Sequence, residues 1–112
     1  MKKAPRRKAW ARNADYHRER LYSRNPHCHW CGVRTIQGKG GGAILATLDH
    51  VKSWPECTSL EEWSEQSNMV LACLSCNQRR SHEWCLKNQS PKKWQAYLAK
   101  QSLAGHAPLI AP

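Results

Sequence analysis

Apolar positions recur along the chain in short runs, and their period changes from helical to alternating and back. Trp10, Ala14, His17 and Leu21 return at helical spacing inside a basic segment, which predicts an amphipathic helix. Asn13 is a candidate N-cap for it. Asn25-Pro26 should end it, because a residue before proline avoids the helical region. "GKGGG", Gly38 to Gly42, predicts a loop; its lysine does not make a nucleotide phosphate loop, since no Gly-Lys-Ser/Thr follows and no helical pattern comes next. "AILATLDHV", Ala43 to Val51, predicts a strand that Trp54-Pro55 breaks. "TSLEEWSEQ" carries Ser59-x-x-Glu62, a capping-box pattern that predicts a short helix. "NMVLA", Asn68 to Ala72, predicts a second strand, and "LSCNQRRSHEWCLK" a helix. Ser90-Pro91 reads as a cap followed by proline at the first helical position, with Trp94, Tyr97 and Leu98 forming the apolar face beyond it. The tail from Gly105 is expected to be mobile.

Composition narrows the class. A chain of 112 residues allows one small domain, in which a single apolar core is marginal and a staple would help. Six Trp and no Phe supply that core. The formal net charge is +10, which attracts polyanions, with nucleic acid as the first candidate partner and an anionic membrane as the second. Nine Lys and Arg lie in residues 1–24 against Asp15 and Glu19. Lys2, Lys3, Arg6, Arg7, Lys8 and Arg12 of this arm are therefore candidate phosphate contacts. No apolar run approaches the ~18–20 residues that span a bilayer, and no apolar stretch follows the basic start as a secretory signal would require. The expected location is the cytoplasm, where thiols stay reduced and six cysteines favour metal ligation over disulfides.

Four of those cysteines form two pairs, Cys28-x-x-Cys31 and Cys73-x-x-Cys76, separated by 41 residues. Each turn sets two thiolates about one tetrahedral edge apart, and two turns complete a structural zinc site. Such a closed site adds folding energy but offers no open position for chemistry. Cys57 and Cys85 fall outside the pattern and are expected to be buried free thiols. His27 and His29 flank the first pair and are expected at the surface.

Set in order, the motifs Cys28-His-Trp-Cys31-Gly32, Asp49-His50, Asn68 and Cys73-Leu-Ser-Cys76-Asn77, with Arg79 and Arg80 behind, resemble the zinc-bearing HNH endonucleases, the ββα-metal nucleases. The resemblance covers Cys28 to Trp84, about half the chain. It implies a small zinc-stapled α+β domain of ββα-metal type at residues 25–90, between a basic N-terminal helix at 1–24 and a C-terminal helix and tail at 91–112. It also implies DNA hydrolysis to 5′-phosphate and 3′-hydroxyl ends. His50 would be the general base, Asp49 and Asn77 the ligands of one divalent cation, and Asn68 a brace for the loop that orients His50. Arg80, and Arg79 beside it, would contact phosphate. An all-oxygen cation site suits Mg2+ or Mn2+. Small HNH proteins of this kind serve phage DNA packaging, restriction or mobile elements, so a larger DNA-processing complex is a further candidate partner. Two other readings stand beside this one. The first is a zinc-ribbon nucleic-acid binder without catalysis, and the second a secreted, disulfide-bonded basic protein acting on membranes.

Overall fold

The computed structural model describes the backbone of residues 7–110 and the side chains of residues 13–110. Its helices are α1 (Arg7–Arg24), α2 (Leu60–Ser64), α3 (Leu74–Gln89) and α4 (Pro91–Leu103), and its strands β1 (Ala46–His50) and β2 (Met69–Cys73). The two strands form an antiparallel pair in which Ala46 faces Cys73, Leu48 faces Leu71 and His50 faces Met69. The chain is thus a small α+β protein with four helices and a two-stranded sheet among its described residues.

The chain divides into two compact units, the first ending at Leu74 and the second beginning at Ser75. In the first, α1 packs against both strands, and the buried apolar residues are Cys28, Ala46, Cys57, Met69, Leu71, Ala72 and Cys73. In the second, Cys76, Glu83 and Trp94 are buried. No helix among the described residues is long and apolar enough to cross a membrane.

Several boundaries differ from the expected ones for identifiable reasons. α1 begins at Arg7 and runs through Asn13, so Asn13 is a helix-interior residue and not the cap. The Lys, Arg and Ala around it favour helix strongly enough to absorb one weak former. α1 does end at Arg24, ahead of Asn25-Pro26. β1 is shorter than the Ala43–Val51 pattern, because Gly42–Ile44 closes into a 3-10 turn. Ser59 caps α2 by accepting the Glu62 N–H at 3.1 Å. The Glu62 carboxylate does not return to Ser59, however; it accepts from the Thr58 N–H and hydroxyl at 3.2 and 2.6 Å and from Lys52 at 3.2 Å. Those three donors hold its carboxyl down at about 2. Cys57 is buried as expected, but Cys85 is exposed.

The tail is tethered where it was expected to be mobile. Arg79 Nη2 donates to the Ala107 carbonyl at 2.8 Å, and the Leu109 and Ile110 N–H groups donate to Glu83 at 2.7 and 3.2 Å.

Candidate metal centre and the Asp49–His50 site

The first cysteine pair sits in a tight turn. Gly32 N–H donates to the Cys28 carbonyl at 2.9 Å, and Gly32 itself takes a φ of +80°, which glycine adopts without strain. The turn is pinned to β2 by a 2.8 Å bond from the His29 N–H to the Leu71 carbonyl. Cys73 ends β2, and Cys76 follows it in the first turn of α3. The four ligand sulfurs lie within 4.8 Å of one another.

These distances fit a tetrahedral metal. Zinc–sulfur bonds of ~2.3 Å imply sulfurs ~3.8 Å apart, and the Cys31 and Cys73 sulfurs are 3.8 Å apart. None of the six cysteines is joined in a disulfide. Burial pushes the Cys28 thiol up, but backbone hydrogen bonds from Cys73, Cys31 and Trp30 outweigh it and bring the thiol down to about 7. That favours the thiolate form that ligates metal. The chain can therefore hold a structural metal ion such as zinc. His27 and His29 are both exposed, and His27 Nδ1–H donates to the Gly32 carbonyl at 3.0 Å.

The last two residues of β1 are Asp49 and His50. Both Asp49 oxygens accept hydrogen bonds, Oδ2 from the Trp30 indole N–H at 2.9 Å and Oδ1 from the His50 backbone N–H at 2.8 Å. Trp30 lies between Cys28 and Cys31, so the cysteine turn itself fixes the carboxylate. The His50 ring stacks on Trp63, with centroids 4.1 Å apart and planes 8° apart, and Trp54 meets Trp63 edge-on at 5.7 Å. Burial lowers the His50 imidazole to about 4, with the Asp49 charge pulling it upward and His17 pushing it further down. The ring is consequently neutral at physiological pH.

Asn68 locks the loop behind this pair. It is buried, its Oδ1 accepts from the Lys52 N–H at 2.7 Å, and its Nδ2 donates to the carbonyls of Lys52 and Trp63 at 3.2 and 3.0 Å. Its own carbonyl accepts the Val51 N–H at 2.9 Å. Asn68 thus ties the turn after His50 to the residue whose ring stacks on His50.

The structure brings together Trp30, Asp49, His50, Trp63 and Asn68 in the first unit. Asn77, Arg79 and Arg80 lie on α3, within its first two turns. Arg79 is engaged with Glu83 at 3.0 Å as well as with the Ala107 carbonyl, and Asn77 and Arg80 are half-buried. His82 is exposed and meets Tyr97 edge-on at 5.8 Å. Of the basic arm, Lys2, Lys3 and Arg6 lie outside the described residues, as do the side chains of Arg7, Lys8 and Arg12. Trp30 and Trp63 are the site residues that the sequence does not single out. A tryptophan between two cysteine ligands is the one usable signal, and it gives no hint that its N–H reaches a residue nineteen positions on.

Compared with protein-family models, characterised proteins and solved structures, the chain finds no match.

Proposed function

We propose that this chain is a divalent-metal-dependent endonuclease of HNH type acting on DNA. The observation that carries the reading is the Asp49–His50 pair. A neutral, ring-stacked histidine and an oriented carboxylate end one strand of a hairpin. A buried asparagine braces the loop behind them, and the Cys28–Cys31 turn bonds to the carboxylate through the Trp30 indole. The order of residues that resembles the HNH nucleases therefore coincides with a local arrangement suited to phosphodiester hydrolysis.

In this reading His50, uncharged at physiological pH, takes the proton from the attacking water. Trp63 fixes the plane of the imidazole, and Asn68 fixes the backbone that carries it. Trp30 and the His50 N–H orient the Asp49 carboxylate, a hard oxygen donor of the kind Mg2+ and Mn2+ prefer; the resemblance to the HNH nucleases would add the Asn77 amide oxygen. A bound cation would stabilise charge on the phosphate and on the leaving oxygen. Arg80 follows Asn77 by one turn of α3, and the resemblance would give it the phosphate contact. The four-cysteine zinc site holds the turn and takes no part in the chemistry.

The deciding experiment is plasmid cleavage with Mg2+, Mn2+ or no added divalent ion, comparing wild type with His50→Ala. Loss of a positioned base should lower the rate by about 10²–10⁴-fold, with DNA binding and zinc content preserved. Equal cleavage by the two proteins would remove the catalytic reading. One observation favours the non-catalytic zinc-ribbon binder as the second reading: both Asp49 oxygens already serve protein donors, as a purely structural carboxylate would.

A separate variant tests the link from the cysteine turn to the carboxylate. Trp30→Phe keeps an aromatic ring and loses the indole N–H. Removing such an outer hydrogen bond typically weakens metal affinity 10–100-fold, so a weakening of about 10-fold is expected here. Mn2+ titration followed by electron paramagnetic resonance reads this without any cleavage assay. Unchanged Mn2+ affinity would show that the Trp30 bond does not prepare Asp49 for a cation.

A further inference from the structure

We propose that the groove between α1 and the glycine-rich loop binds a backbone phosphate of duplex DNA. This rests on DNA being the partner, but it uses residues that the nuclease reading leaves idle. A cavity of about 520 Å³ lies in the first unit, lined among others by Ala14 and Arg18 of α1, Gly38 and Lys39 of the loop, and Ala46 and Thr47 of β1. Two cations from separate elements, Arg18 and Lys39, thus flank one opening.

The loop's backbone explains why the lysine stands where it does. Gly38 and Gly40 take φ values of +83° and +90°, a region that side-chain-bearing residues rarely adopt. Lys39 is held between them with no neighbouring side chain to either side. A Cβ on Gly41 would come within 2.9 Å of Leu45, so this glycine is needed for the loop to approach β1. The glycines are explained by packing and conformation, whereas the exposed lysine is not.

Arg18 can accept a further partner. Its Nη2 pairs with Asp15 at 3.1 Å, but the Asp15 side chain is 65% exposed, and such surface pairs are weak. A guanidinium carries five donors, which leaves N–H groups for a phosphate. The position is also suitable. Thr47 precedes His50 by three residues of β1, roughly 10 Å at ~3.3 Å per residue, or about three nucleotides at ~3.4 Å of axial rise each. Helix α1 borders this stretch, since it packs against β1 and its Ala14 and Arg18 line the groove. A duplex strand with a phosphate in the groove would run toward the Asp49–His50 end of the strand.

The test measures binding of a fluorescein-labelled duplex by anisotropy across a salt series. It uses the His50→Ala protein without added Mg2+ or Mn2+, so that cleavage does not intervene. Introducing Lys39→Ala or Arg18→Gln should each flatten the slope of log affinity against log salt by about 0.9, with zinc content and melting temperature unchanged. Lys39→Arg should restore the slope. A Lys39→Ala slope equal to that of its parent, or an arginine replacement that fails to restore it, would overturn the groove. The outcome is independent of the nuclease reading. If wild-type cleavage proves indifferent to His50→Ala while the slope still flattens, the groove stands and the catalytic assignment falls.

Discussion

Cys76→Ser should leave the chain without stoichiometric zinc and without a cooperative melting transition. The reason lies in how little else holds the first unit together. Its described buried apolar residues include only two large ones, Met69 and Leu71, beside two alanines and three cysteines. Two such side chains contribute roughly 3–6 kcal/mol when buried, while each ordered residue costs about 1–2 kcal/mol of backbone entropy. A structural zinc in a four-ligand site contributes on the order of 10–16 kcal/mol in small zinc-finger domains. Losing one of four thiolates therefore removes the largest single stabilising contribution. Elemental analysis and thermal melting by circular dichroism read the two expected losses. Cys85→Ser is the matched control, since Cys85 is exposed; it should keep one zinc per chain and melt as wild type does. A Cys76→Ser protein that retained full zinc and its melting temperature would show that the four sulfurs are not a metal site.

The sequence discloses what is local or carried by strong residue types. Both strands, the end of α1 at Pro26, the start of α4 at Pro91 and the four-cysteine cluster are all visible in it, because period, proline and Cys-x-x-Cys spacing act within a few residues. What it hides depends on register and distance. Trp30 and Trp63 read as core aromatics, and only the folded turns place one on the Asp49 carboxylate and the other on the His50 ring. Cys85 reads as a buried thiol, yet Arg79 and Glu83 set the inward face of that stretch of α3. Two residues past Glu83 is about 200° around the helix at ~3.6 residues per turn, which carries Cys85 outward. Glu83 is the least legible residue of all: nothing in the sequence marks this acid, set in a charged helix, as wholly buried.

Glu83→Ala should destabilise the second unit by about 3 kcal/mol and release the tail. The Glu83 carboxylate accepts from Arg79 Nε at 3.0 Å, the Tyr97 hydroxyl at 2.5 Å, and the Leu109 and Ile110 N–H groups at 2.7 and 3.2 Å. Alanine would leave the guanidinium, a phenol and two backbone donors without that acceptor at once. Breaking a buried ion pair by removing one partner costs about 3–5 kcal/mol. The lower end applies, because the Arg79 side chain is 32% exposed and water can reach it. Tyr97→Phe removes a single donor from the same carboxylate and should cost only about 1 kcal/mol. The ratio between the two variants is the informative quantity, since general damage to α3 or α4 would not produce it. Hydrogen exchange supplies the second reading. The Leu109 and Ile110 amides should be protected in wild type and in Tyr97→Phe, and should exchange freely in Glu83→Ala. If these amides were as protected in Glu83→Ala as in wild type, the tail would be held by its apolar side chains and not by the carboxylate. If Glu83→Ala and Tyr97→Phe lowered the melting temperature equally, the hydroxyl would be the dominant partner and the two N–H bonds would count for little. The chemistry favours release of the tail in Glu83→Ala, because one buried carboxylate gathers four donors and two of them are the Leu109 and Ile110 N–H groups.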